Sequence, residues 1–111
     1  MRTFTGEQWL MRIFIGENDH YGHRPLYEVL IELFRKEGCA GATVLRGIAG
    51  FGTHRAYHTD RLLELSHDLP LIIEVVDSHE KLTGLLPVLD SYMGGGTITM
   101  EQVTVYRYGL T

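Results

Sequence analysis

Two glycine-rich segments and six histidines are the parts of this chain whose residue types bear on chemistry. Residues 38–52, GCAGATVLRGIAGFG, hold five glycines and three alanines around a β-forming Thr43-Val44-Leu45. Glycine in a strand costs conformational entropy and contributes nothing to packing. Such a density therefore points to close approach by a backbone or ligand, or to a bend where a strand leaves its sheet. Either way a functional loop falls at Gly50-Phe51-Gly52. The plainer alternative is a helix-capping Gly38, a small-residue turn and a bulged strand. The second segment is Gly94-Gly95-Gly96, whose amides can cradle an anion. It follows a helical pattern and lacks the Lys-Ser/Thr ending of a Walker loop.

Among the histidines, His54 and His58 are four apart and would share one helix face, whereas His20 and His23 are three apart in a loop. Metal ligation needs three or four convergent donors with supporting groups behind them. Glu17, Asp19, Asp60 and Asp68 can contribute oxygens, but no spacing forms a known site, and exposed polar histidines explain the same pattern. His54 and His58 stand as the alternative metal pair. Cys39, between glycine and alanine, reads as a small buried thiol. Ser66-His67-Asp68 are sequence neighbours, whereas a catalytic triad is assembled in space. No convergent acid–base pair is present, and the chain is read as a non-enzyme with no cofactor. Tyr106 and Tyr108 alternate on a strand and can stack a base, though such residues more often serve an interface or core.

The elements that position these residues follow from periodicity. Residues 8–15 alternate as a strand, and residues 26–37 carry apolar side chains at Leu26, Val29, Leu30, Leu33 and Phe34, the helical stripe. Pro25 suits the first turn of that helix, and Arg35-Lys36-Gly38 its end. A second strand covers residues 42–49, and a third, the most hydrophobic segment, covers residues 69–76. Residues 79–93 repeat the helical pattern with Ser78 as N-cap, and Pro87 should kink or split that helix. Residues 97–108 alternate as a last strand only if Glu101-Gln102 hosts a bulge.

The order β-α-β-β-α-β is the ferredoxin-like α+β arrangement, an antiparallel sheet with two helices on one face. Length allows one domain, residues 1–111. With Met11, Leu45, Ile73 and Val75 towards the helices, Arg12, Arg46 and Glu74 fall on the open face beside Phe14, Val44, Ile48, Ile72 and Val76. The expectation is a cross-strand triad Arg12–Glu74–Arg46 in an apolar face suited to an oligomer interface. The net charge of −4, with lysine and arginine scattered, argues against a nucleic-acid surface. No apolar run approaches the ~20 residues of a membrane span. The single cysteine fits a reducing compartment, and no signal-peptide pattern opens the sequence, so a cytoplasmic protein is expected.

These residues resemble the PII nitrogen-regulatory superfamily. The likeness lies in the element order and in Thr43-Val44 leading to Gly50-Phe51-Gly52. It extends to Leu69-Pro70 before Ile73-Glu74-Val75-Val76, and to Glu101-Gln102-Val103 with Arg107-Tyr108-Gly109. The strings GCAGATVLRGIAGFG and DLPLIIEVVD are similar to an uncharacterised bacterial and archaeal branch, a domain of unknown function. The resemblance implies a homotrimer with inward-facing sheets and lateral clefts for an adenine nucleotide or small anion. It also implies a loop that reports to a membrane channel, transporter or enzyme. It assigns Gly50, Phe51 and Gly52 to the loop base, Gly94, Gly95 and Gly96 to the phosphate loop, and Arg107 to one phosphate-contacting arginine. Val105, Thr97 and Leu71-Ile72 stand where further cations are usual in that family, which favours a less charged ligand than ATP. The loop over residues 53–68, with Tyr57, is more hydrophobic than the mobile PII loop and is expected to fold. Trimeric metal-tolerance proteins share this fold, so a metal binder using His54 and His58, or a passive adaptor, are the alternatives.

Overall fold

The structure, a computed structural model, describes residues 1–52 and 68–109. Strand β1 (Arg2–Gly16) is followed by the two-residue strands β2 (His20–Tyr21) and β3 (Arg24–Pro25), then helix α1 (Leu26–Lys36). Next come β4 (Ala42–Arg46), β5 (Pro70–Asp77), helix α2 (His79–Asp90) and β6 (Thr97–Tyr108). The main sheet is antiparallel in the order β4-β5-β1-β6, the expected α+β ferredoxin-like topology with both helices on one face.

The core lies between that face and the helices. Met11, Ile13, Leu71, Ile73 and Val75 from the sheet meet Leu26, Leu30, Leu33 and Phe34 of α1 and Leu82, Leu85 and Leu89 of α2, all buried. Helix ends follow the sequence. The Ser78 hydroxyl accepts from the Lys81 amide at 3.1 Å and caps α2. Gly38 (φ +81°) closes α1, with the Gly38 amide donating to Arg35 and the Cys39 amide to Phe34, which satisfies two terminal carbonyls. Of the kink or split expected at Pro87, the split does not occur: α2 is one helix through Pro87, with Leu85 and Leu89 on either side buried in the core.

The outer strands depart from expectation. β6 keeps a regular register through Glu101↔Leu10 and Gln102↔Trp9, and the bulge expected there is absent. What changes at that point is the side that is apolar. Ile98 and Met100 face the helices, whereas Val103 and Val105 face the opposite side, beside Phe4. β5 begins to pair with β1 only at Trp9, so Arg2–Gln8 with Val103–Tyr108 form a two-stranded arm beyond the helical layer. Among the described residues no helix covers the arm, and its apolar side chains lie on the side away from α1 and α2, the side that those residues leave bare.

β4 is reversed relative to the sequence expectation. Its register, Val44↔Ile73, Leu45↔Ile72 and Arg46↔Leu71, puts Val44 and Arg46 on the helix side and Leu45 on the bare side. A one-residue phase error flips every side chain of a strand. The expected triad is therefore not formed. Arg12 Nε donates to Glu74 at 3.0 Å, and the second partner of Arg12 is Glu101, while Arg46 pairs with Glu17. Hydrogen bonds from Arg12 to Glu101 and then Glu74 raise the guanidinium pKa further above its ordinary value.

Candidate functional site

One end of the sheet gathers three chain segments. β1 ends in a turn where Asp19 accepts from the Gly16 amide (2.9 Å) and its own amide donates back to the Gly16 carbonyl (3.1 Å). That turn carries the chain into the β2–β3 hairpin, and the Asp19 carbonyl accepts the Leu26 amide at 2.8 Å, substituting for a side-chain cap on α1. β4 exits beside the start of β5, where the Gly47 amide donates to the Pro70 carbonyl at 2.7 Å. A Cβ on Gly47 would sit 2.9 Å from Pro70 Cγ, and one on Gly50 3.2 Å from the same atom, so both glycines permit this close exit. The third segment is the triglycine turn between α2 and β6. Gly96 (φ +104°) lies so near β1 that a Cβ would meet the Phe14 carbonyl oxygen at 2.5 Å.

These segments enclose a cavity of about 580 Å³. Phe14, Ile15, Leu26 and Pro70 give its apolar wall, and Phe51 and Gly52 cover one side. Gly94, Gly95, Gly96 and Thr97 form another side, and Asp19 and His20 supply the polar groups. Such a volume suits a small ligand. His20 is fixed by its Nδ1, which lies 2.6 Å from the Asn18 carbonyl, and Tyr21 packs on Tyr92 with centroids 4.7 Å apart. The hairpin is thereby fastened next to the triglycine turn.

Of the sequence-derived residues, Phe51, Gly52, Gly94, Gly95 and Gly96 converge here, with Gly50 packed behind Pro70. Arg107 does not. It pairs with Phe4 in the arm, donates to Gln8 at 3.2 Å and lies over the Phe4 ring at 5.4 Å. Ten strand positions separate Phe4 from Phe14, roughly 33 Å at about 3.3 Å per residue. His54, His58 and Tyr57 lie outside the described residues, as does the loop over residues 53–67. Among the described residues no three His, Cys, Asp or Glu side chains group as metal donors. Asp19 and His20 escaped the sequence reading of the site. Asn18-Asp19 signalled a turn, but nothing local showed that the turn would close against residues 94–97.

Phe14 belongs to both the cavity and the bare face. On that face it is 37% exposed and Leu45 44%, and beyond the strand Ile48 and Phe51 are 93% and 88% exposed. No helix among the described residues is long and apolar enough to cross a membrane.

A βαββαβ antiparallel sheet with both helices on one face, the other face bare among the described residues, defines a ferredoxin-like α+β protein with a glycine-walled cavity at the end of its sheet. The chain belongs to the DUF190 family, described as "Uncharacterized ACR", whose profile matches residues 8–105. It is 38% identical over 98 residues to a UPF0166 protein of Aquifex aeolicus, covering 88% of this chain and 96% of that one. It is 32% identical to UPF0166 protein MJ1524 of Methanocaldococcus jannaschii, covering 88% and 91%. Among solved structures it is similar to CPII from Thiomonas intermedia bound to ADP and bicarbonate (TM-score 0.59, 19% identity, 94% and 93% covered). It is also similar to a PII-like signaling protein of Thermus thermophilus (TM-score 0.56, 17% identity, 92% and 90% covered). At these identities the two structures speak to the fold.

Proposed function

We propose that this chain is a cytoplasmic, non-catalytic PII-like regulator. Three copies assemble through the bare sheet face, and a small anionic ligand or nucleotide binds at the cleft between them. Gly50, Phe51 and Gly52 give close backbone approach at the loop base, Gly94 to Gly96 give amide donors, and Arg107 gives positive charge. Because Arg107 is far from its own cavity, it serves the cavity of a neighbouring copy. Ligand binding shifts the population of the loop that leaves β4, and the changed surface is read by a membrane channel, a transporter or an enzyme.

The observation that carries this reading is that apolar residues recur along the whole bare face, on both sides of the Arg12–Glu74–Glu101 charge cluster. Leu45, Ile72 and Phe14 at the cavity end, Leu10 and Val76 in the middle, and Val103, Val105 and Phe4 in the arm all lie on one side. An apolar stripe that follows the bare side even where the helices end is built to be covered. Phe14 places one end of that stripe in the cavity wall. The likeness to CPII, which was solved with ADP and bicarbonate, supports the ligand class.

The test has two arms. Sedimentation at micromolar concentration is expected to give three times the 12.6 kDa chain mass. Thermal-shift screening of nucleotides, bicarbonate and dicarboxylates is expected to find a stabilising ligand, worth about 2.7 kcal/mol at a hundredfold excess over Kd. Arg107→Ala should abolish that shift. A stable monomer rejects the assembly, and a shift that survives the substitution removes Arg107 from the site.

A further inference from the structure

The cavity contains one side chain whose bonding already limits what it can accept. The carbonyl of Asn18 can only accept, so His20 Nδ1 must carry the hydrogen of their 2.6 Å contact. In the neutral ring this leaves Nε2 as an acceptor. The β2–β3 pairing of His20 with Pro25 and the Tyr21–Tyr92 contact hold His20 in the cavity lining that also includes the triglycine turn. The charge of the wall is equally restrictive. Its described residues include no lysine or arginine, Asp19 contributes a carboxylate, and Arg46, next to Gly47, is engaged by Glu17. A polyphosphate carries several negative charges that need charge-assisted donors when moved out of water. The apolar faces of Phe14, Phe51 and Pro70 instead fit a flat ring.

We infer that His20 is a ligand-contacting residue, and that the cavity takes a planar, N–H-bearing heterocycle with at most one or two negative charges. Nucleosides and nucleoside monophosphates belong to this class, and nucleoside triphosphates do not. The inference rests on the regulator reading, in which Arg107 of a neighbouring copy is, among the described residues, the cation assigned to each cleft. His20 Nε2 accepts from the ring's N–H edge, the aromatic side chains hold its faces, and the triglycine turn meets the polar substituent.

Calorimetric titration of the assembled protein with adenosine, AMP and ATP varies charge at constant ring. Wild type is expected to bind AMP at least about tenfold more tightly than ATP. His20→Ala and His20→Phe, the second of which keeps a ring without the acceptor, should each weaken AMP binding by about tenfold or more. Both substitutions fall at an exposed position, and an unchanged melting curve confirms the fold. ATP binding as tightly as AMP, or AMP binding indifferent to both variants, overturns the inference and leaves the regulator reading standing. Binding of bicarbonate or a dicarboxylate with no response to the three adenine compounds does the same. A protein that binds none of these ligands loses the inference and the regulator reading together.

Discussion

Neighbouring residues Ile72 and Ile73 of β5 show how differently the two faces of the sheet are used. Ile73 is wholly buried between α1 and α2, whereas Ile72 is half-buried on the bare face between Phe14 and Leu45. The covered face uses its apolar area to make one chain fold, and in the proposed assembly the bare face uses its own to join copies. The phase change in β6 makes the division plain. Apolar side chains follow the helices as far as Met100 and then cross to the bare side at Val103. A two-stranded ribbon alone is marginal in water, so the arm needs a surface to lie against.

The largest expected effect comes from separating the faces by truncation. Ile73→Ala removes packing from a site with no solvent access and should cost about 2–5 kcal/mol in chemical denaturation. Ile72→Ala should cost the isolated chain about 1 kcal/mol or less, while shifting the sedimentation profile towards smaller species. Equal losses of stability with unchanged assembly would mean that the bare face is only a poorly covered part of the fold.

The glycine turn offers the next contrast, at the boundary between fold and site. Gly96→Ala must force a left-handed φ on alanine, at about 1–3 kcal/mol, and drive its Cβ into the Phe14 carbonyl. At Gly94 a Cβ meets nothing within 4 Å, so Gly94→Ala should leave the melting temperature nearly unchanged. Since Gly94 lines the cavity, that variant should affect ligand titrations more than stability. Gly96 thus serves the closure of the cavity, and Gly94 its contents. A melting temperature lowered as much by Gly94→Ala as by Gly96→Ala would contradict this division.

How much of this was legible in the sequence depended on where each strand carries its charge. β1 and β5 are apolar over residues 9–15 and 71–76 except for one mid-strand charge each, Arg12 and Glu74, which marks the open face, and the cross-strand Arg12–Glu74 pair follows from it. In β4 the charge, Arg46, is the last residue of the strand and sits on the helix side, so taking it as a mark of the open face put Val44 and Leu45 on the wrong sides. Arg46 then found Glu17 instead of Glu74. The first residues of β1, RTFTGE, have little hydrophobic pattern, and pairing with β6 makes them a strand. The glycine clusters marked two sides of the cavity, because backbone approach leaves a compositional trace. Asp19 and His20 left none, since their place depends on a turn geometry fixed by tertiary contacts.

The smallest effect uses Cys39, at the margin of the covered face, as a reporter of the same division. Its thiol packs against the core and its pKa is raised, first by burial and then by the nearby Asp77 carboxylate. Only the thiolate attacks a disulfide reagent, so at neutral pH the native protein should label more slowly than a free cysteine. The rate should rise with pH as the thiolate forms. Labelling through transient opening follows the population of the open state. Ile73→Ala should therefore accelerate it, while Ile72→Ala, which in the proposed assembly loosens contacts between copies and leaves the helical layer intact, should not. Acceleration by Ile72→Ala at concentrations where assembly is lost would show that the bare face stabilises the covered one through association. The two faces would then form one cooperative unit.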